Sequence, residues 1–457
     1  MTINKVYPSA AAAVADIPDG ARLGVGGFGP SRVYAALIPA LLERGVKDLR
    51  IVANSVGGNP NSVWTLLENH RVSHITVSIS QGADRYISSG EIGIDLVPQG
   101  TLAERLRAGG SGIAAFYTRT GVGTPVAEGK DVRWFDGVPY LLERSLTLDF
   151  AFIRAYRADR FGNVSFRGVG RNLNPAMARG ARVVIAEAEQ VVDELDPDQV
   201  DLPGIFVNRV VEQAPVPRPF PQTRRGGADI DQAATYLGRP GWTRREMAQV
   251  AAAMLPEPSY VNLGLGIPTL VANFIKGRDI VAHAENGMLG VGEDATADDF
   301  DQDVYNAASY YVHREPGASF FDTLTSFEMV RGGRVNYVVL GALQVDELGN
   351  IANWATEGRP GGTIGGAMDL AAGGASVMVM MTHLARDGGQ KLVRRCGLPL
   401  TGRGCVDVVV TDLCVLRRGP ADQGGRFTLA QAAPGFTPEE VAKLTELPFD
   451  RPGSGAS

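Results

Sequence analysis

The feature that most constrains this chain is that it nearly repeats itself. DLRIVANSVGG at 48–58 resembles RDIVAHAENG at 278–287: Ile51-Val52-Ala53 matches Ile280-Val281-Ala282 and Gly58 matches Gly287, an offset of 229 residues. LDFAFIRAYRADRFGNV at 148–164 resembles VNYVVLGALQVDELGNI at 335–351, setting Asp159 beside Asp346 and Asn163 beside Asn350 at an offset of 187. GVGGFG at 24–29 and NLGLGI at 262–267 form a looser pair. Offsets that differ along the chain mark halves that have diverged by insertion. Each repeated element is a short apolar run ended by Gly or Asn, the pattern of a buried strand that turns sharply at its end. Alternation of such runs with helical stretches predicts an α/β fold of two related open, mostly parallel domains.

APVPRPFPQTRRGGADI at 214–230 holds four prolines and a basic cluster, a composition that reads as a linker rather than a core. The expected division is a first domain at 1–213, a linker at 214–242, a second domain at 243–449 and a disordered tail at 450–457. Thr243-Arg-Arg-Glu246 has the spacing of a capping box and predicts a helix start, as does Thr437-Pro438-Glu439-Glu440 with Pro at the first helical position. A chain of 457 residues is too long for one ordinary core.

Charge narrows the choice of partner. Forty-four basic residues against 50 acidic ones leave a formal charge of −6, with no basic excess to neutralise nucleic-acid phosphates or an anionic membrane. No apolar run reaches the roughly eighteen residues of a membrane span. The opening MTINKVYPSAAAAVADIPDG has neither a signal-peptide pattern nor an Arg-rich one, so the expected location is the cytoplasm. Cys396, Cys405 and Cys414 form neither an even disulfide set nor a C-x-x-C pair, and read as reduced, packed thiols. The five histidines are scattered without H-E-x-x-H, so no catalytic metal is expected.

AENGMLGVG at 284–292 follows the apolar run IVAHA, placing Glu285 where a buried strand ends. Ligands of open α/β sheets bind at that edge, and glycines there let backbone N–H groups approach an oxyanion. The same residues also read as a plain turn, since Asn-Gly is a strong turn dipeptide and a preceding Glu can simply be solvated. GGFG at 26–29 and GLG at 264–266 do not complete G-x-G-x-x-G, and as tight strand-to-helix turns they are more ordinary than as phosphate cradles. GGTIGGAMDL at 361–370 reads as a flexible loop leading into a helix.

Taken together, the motifs resemble the family of succinyl-CoA:3-oxoacid CoA-transferases and their two-subunit bacterial relatives. IPDG (17–20), GGFG (26–29), PQGTLAER (98–105) and ADRFGNVSF (158–166) are similar to that family's α subunit. NLGLGIP (262–268), E-N-G (285–287), SFEMVRGGRVN (326–336), LGALQV (340–345), GGAMDL (365–370) and LPLTG (398–402) are similar to its β subunit. The resemblance covers nearly everything but the linker and tail, and implies α and β subunits fused in one chain.

The resemblance implies that Glu285 is a nucleophile that carries coenzyme A as a thioester. A carboxylate is already ionised at neutral pH and needs no general base. It also implies that backbone near Gly366 and Ala367, the Gln99 amide and, less directly, Asn54 stabilise or contact the acyl groups. Gly27, Phe28 and Gly29, with Asn286 and Gly287, are implied to shape the site. Coenzyme A is then a substrate and no cofactor is required; the partners are acyl-CoA and small carboxylic acids, and the assembly is a homodimer. The sequence departs from the family where GPSRVYAALI puts Arg32 and Tyr34 in place of a Gly-x-Pro, and where Ala284 replaces a serine. Arg32 is therefore the specificity candidate, either facing the acyl pocket or capping the surface. An acyl-CoA hydrolase on the same scaffold, or a non-catalytic acyl-CoA or sugar-phosphate sensor, stands as the alternative.

Overall fold

The computed structural model describes residues 3–218, 220, 230–358, 361–420 and 424–451, the Arg32 side chain excepted. The expected tail thus lies largely outside the described residues. Each half is organised on a sheet with a parallel centre. In the first, the strands run Arg209–Glu212, Ala181–Val192, Leu148–Asp159, Arg22–Val25, Leu49–Ser55, Val72–Ile79, Gly93–Leu96, each neighbouring pair parallel. In the second, Ser259–Leu263 is central, flanked by Ile280–Ala284 and by Tyr337–Leu340, Ser376–Met380 and Val406–Val410 in turn, again all parallel. These strands are near-continuous Val, Ile, Leu and Ala because both faces are covered, as parallel sheets require.

The repeat is real down to single hydrogen bonds. Asp159 Oδ1 accepts the N–H groups of Phe161 and Asn163, both at 2.9 Å, and Oδ2 accepts from Leu195 N. Asp346 Oδ1 accepts from Leu348 and Asn350 N, both at 3.1 Å, and Oδ2 from Cys396 N. The following asparagines close the pattern: Asn163 Oδ1 accepts from Gly204 N at 2.8 Å and Asn350 Oδ1 from Gly404 N at 2.9 Å. A buried aspartate organises each tight turn by satisfying backbone donors that the sheet leaves over.

Strand register corrects one detail of the alignment. The 229-residue offset sets Glu285 opposite Val56. In the sheets, Leu23 pairs with both Ile51 and Phe150, while Val261 pairs with Ala282 and Tyr337. Ile51 therefore corresponds to Ala282, and Asn54 is the counterpart of Glu285. The sequence match follows identical letters and is displaced by two residues, one full pleat, from the register of the sheets.

The halves part company after that strand. The first half runs on to its next parallel strand, whereas Ile280–Ala284 reverses into the antiparallel Met288–Asp294 and then Val312–Phe320. Ala284 pairs with Met288, so Glu285-Asn286-Gly287 is a three-residue hairpin loop with Gly287 at φ +117°. A side chain at Gly287 would collide with the Phe321 carbonyl oxygen, so glycine is required there.

Two features were not legible in the pattern. Ala115–Thr118, Val138–Arg144 and Val132–Phe135 form a separate antiparallel sheet within the first half. The segment expected to be only a linker carries an antiparallel hairpin, Ala233–Tyr236 with Arg239–Thr243, and buries Tyr236 and Trp242 in the second half's core. The capping boxes at Thr243 and Thr437 are both formed. Among the described residues no helix is long and apolar enough to cross a membrane.

Candidate active site

The halves meet at the tips of their sheets, and the contacts that join them also build a cavity. The GGFG turn leaves the first sheet and enters the second half's core, where the Tyr305 hydroxyl donates to the Phe28 carbonyl at 2.9 Å. Gly29, at φ +52°, packs so closely that a Cβ would stand 2.5 Å from Ser309 Oγ. From the opposite direction the glycine cluster at 361–366 pairs with the end of Val72–Ile79. Ser80 N donates to the Gly362 carbonyl at 3.0 Å, Gly365 N to the Ser78 carbonyl at 3.1 Å, and Gln99 N to the Gly365 carbonyl at 2.9 Å. The expected flexible loop is therefore a docking element.

Between these contacts lies a cavity of about 210 Å³. Phe28, Ile79 and Gln99 reach it from the first half; Glu285, Gly366 and Ala367 reach it from the second. Glu285 is 5% exposed at the hairpin tip. Gly366 stands beside it, where a Cβ would be 3.6 Å from Glu285 Oε1. Burial pushes the Glu285 carboxyl above its ordinary range, opposed by the Asn262 amide, which donates to Oε2 at 3.4 Å. Among the described residues no cationic side chain is paired with it. Burial of this kind raises the energy of the charged carboxylate, which the Asn262 amide offsets in part.

Gln99 begins the helix Gln99–Gly110, and its Nε2 is buried with no partner among the described residues. The helix start is pinned across the seam by Asp369, fully buried, whose carboxylate accepts from Gly100 N at 2.9 Å and from the Thr120 hydroxyl at 3.0 Å. Burial raises the Asp369 carboxyl, while the charge of Arg331 pulls it down.

Five of the sequence-derived candidates, Glu285, Gln99, Gly366, Ala367 and Phe28, line the cavity together. The other described candidates do not line it. Asn54 is buried at the end of its strand and does not line the cavity. Asn286 is turned away, its Nδ2 donating to the Tyr305 carbonyl at 2.8 Å. Gly287 and Gly29 shape turns, and Gly27, at φ +101°, precedes Phe28. The Arg32 side chain lies outside the described residues. Tyr34 is buried in the first half, its hydroxyl donating to the Phe152 carbonyl at 3.0 Å. Sequence reasoning passed over Asn262, His283 and Asp369. For Asn262 and His283 the signal was a polar residue inside an otherwise apolar strand, within NLGLGIP and IVAHA.

The family model described as Coenzyme A transferase matches residues 7–213 and 245–444. The chain is 36% identical to the human mitochondrial succinyl-CoA:3-ketoacid coenzyme A transferase 2, across 97% of this chain and 90% of that protein. Its first half is 44% identical to one of the subunits of the 3-oxoadipate CoA-transferase of Pseudomonas putida, covering 46% of this chain and 94% of that polypeptide. An acyl-CoA transferase from E. coli O157:H7, solved as a thioester complex with CoA, shares the fold. Its TM-score is 0.75 at 21% identity, over 98% of this chain and 94% of that one.

Proposed function

The chain belongs to the coenzyme A transferase family, and on that premise we propose that Glu285 carries coenzyme A between an acyl-CoA and a 3-oxoacid. It is an enzyme of the CoA-transferase type. The donor we assign is succinyl-CoA and the acceptor acetoacetate or 3-oxoadipate, following the activities named for its relatives. The observation that carries the reading is a buried carboxylate, with no cation paired to it among the described residues, set in a cavity that both halves complete.

The chemistry closes on itself. Glu285 attacks the acyl-CoA carbonyl, forming a mixed anhydride and expelling the CoA thiolate. The thiolate attacks the glutamyl carbonyl, giving a Glu285–CoA thioester and releasing the donor carboxylate. An acceptor carboxylate attacks that thioester to form a second anhydride and free the thiolate. The thiolate then takes the acyl group and restores Glu285. No proton is moved and one thioester replaces another, so coenzyme A is the substrate and no further cofactor is needed. The Gln99 amide and the backbone at Gly366 are assigned to the oxyanions formed at the two carbonyls, and the Asn262 amide to the glutamyl oxygen. Phe28, Ile79 and Leu265 wall the cavity and keep water from the anhydride.

The test is to supply succinyl-CoA without an acceptor and weigh the peptide containing Glu285. A CoA adduct with little free thiol released supports the transferase. Continuous thiol release without an acceptor marks a hydrolase, and absence of any adduct overturns the covalent reading. We further assign the enzyme to the cytoplasm, in line with its three free thiols, and to a homodimer of the fused chain, on the family resemblance. Cell fractionation and sedimentation check these two assignments.

A further inference from the structure

Behind Glu285, on the side away from the cavity, lies a short chain of polar groups that the transfer chemistry does not use. His283 is two residues before Glu285 on the same strand, fully buried, and pairs in register with Asn262 on the central strand. Its Nδ1 is 2.9 Å from Asn262 Nδ2, and its Nε2 is 3.0 Å from Ser326 Oγ. Its ring lies nearly flat on Phe321, centroids 6.0 Å apart at 10°. Asn262 Nδ2 also points at Glu285 Oε2, at 3.4 Å, while Asn262 Oδ1 is buried with no partner among the described residues.

An uncharged imidazole has one donor and one acceptor nitrogen, and which is which decides what its neighbours can do. With the proton on Nε2, donated to Ser326, Nδ1 accepts one amide hydrogen of Asn262 and the other is left for Glu285. With the proton on Nδ1, His283 would take the amide oxygen instead. The amide would then present oxygen to the Glu285 carboxylate, turning an attraction into a repulsion. Burial holds the imidazole neutral, at about 4, so the choice is between tautomers.

We propose that His283 is a positioning residue: held by Ser326 as its Nε2–H tautomer, it fixes the Asn262 amide with an N–H toward Glu285. The proposal rests on Glu285 being the nucleophile. That N–H supports the carboxylate in the resting enzyme and the glutamyl oxyanion as the thioester forms and breaks. His283 itself touches no reacting atom: its ring nitrogens meet Asn262 Nδ2 and Ser326 Oγ, and it reaches Glu285 only through the Asn262 amide.

The experiment compares wild type, His283→Leu and His283→Gln, with the rate of CoA-adduct formation at Glu285 measured in a single turnover of succinyl-CoA. Leucine removes the acceptor and should slow adduct formation and kcat by about a hundredfold, with the KM for acyl-CoA little changed. Glutamine offers its Oε1 as the acceptor and should recover most of the rate. A purely structural histidine would lower Tm and leave the rate of the folded fraction intact, which would overturn the proposal. On 15N-histidine-labelled wild type, the His283 signal, assigned by its loss in His283→Gln, should show a protonated Nε2 and a bare Nδ1. The opposite tautomer would also overturn it, whether or not the variants fold. Failure of wild type to form any adduct would instead sink the Glu285 reading and this inference with it. A normal wild-type adduct formed at the same rate in His283→Leu would sink the inference alone.

Discussion

Asn54 and Glu285 occupy matching places in the two sheets, each following one of the register-matched alanines Ala53 and Ala284, yet only Glu285 lines the cavity. The two halves therefore share a scaffold and not a chemistry. An amide side chain does not attack a thioester, so labelling with succinyl-CoA should saturate at one CoA per chain. Titration of the adduct by intact mass checks this; a second equivalent per chain would contradict it.

Replacing Glu285 with Gln separates activity from stability. Transfer should fall by roughly four orders of magnitude or more, because the nucleophile is gone. Stability should move the other way. Burial raises the folded-state carboxyl above its ordinary value of 4.5. Protonation therefore stabilises the fold below the unfolded pKa, and that contribution is lost as pH rises through the folded pKa. Above its raised pKa the wild type carries the charged form at a cost that glutamine avoids, so the variant should melt higher there, with the difference vanishing as pH falls below the unfolded pKa. The wild-type kcat/KM should fall as the solution is acidified through the same raised pKa. Melting curves across pH, beside a pH–rate profile, test both signs.

Gln99 and Asp369 should behave as one unit. Asp369 holds the backbone of Gly100 and the hydroxyl of Thr120, and so sets where Gln99 enters the cavity. Gln99→Ala removes a donor and should cost about a hundredfold in kcat. Asp369→Ala leaves the helix start unpinned and should cost a comparable factor, and the double variant little more than either alone. Multiplying effects in kcat would show that Asp369 acts independently of Gln99.

The repeated aspartate turns give a paired prediction in stability. Asp159→Ala and Asp346→Ala each strip three buried or half-buried backbone N–H groups of their acceptor, so each should cost about 3 kcal/mol. Denaturant unfolding of the two variants checks whether the costs agree.

What the sequence disclosed follows from which forces leave a local trace. The parallel strands showed because burial on both faces makes continuous apolar runs, and the D-x-x-G-N turns showed because the two backbone N–H groups that each aspartate Oδ1 accepts lie within the motif itself. Glu285, Gln99 and Gly366 were legible only through family motifs; nothing local tells a hairpin carboxylate in a cavity from one in water. Asp369 stayed hidden because its partners, Gly100 and Thr120, are about 250–270 positions away. The phase of the repeat was misjudged at Asn54 because I-V-A recurs by composition, whereas strand register is set by neighbours in the sheet.

The final prediction concerns the joint between the halves. The association does not depend on chain continuity alone: Phe28 is seated in the second half's core and the 361–366 loop pairs with the end of the first half's Val72–Ile79 strand. The proline-rich segment adds to it. Arg218 pairs with Asp303, and Phe220 lies 5.3 Å from Phe300 and 5.9 Å from Tyr311, ring centroid to ring centroid. Co-expressed fragments 1–220 and 230–457 should therefore assemble into an active enzyme. Shortening the first to 1–213 removes one packed aromatic and one ion pair, worth about 1–2 kcal/mol together, so half-maximal activity should need roughly tenfold more fragment. Titrating one purified fragment against the other reads this directly. Equal titration curves would mean that Arg218 and Phe220 add nothing to the joint, and two soluble fragments that never regain activity would mean that the covalent connection itself is required.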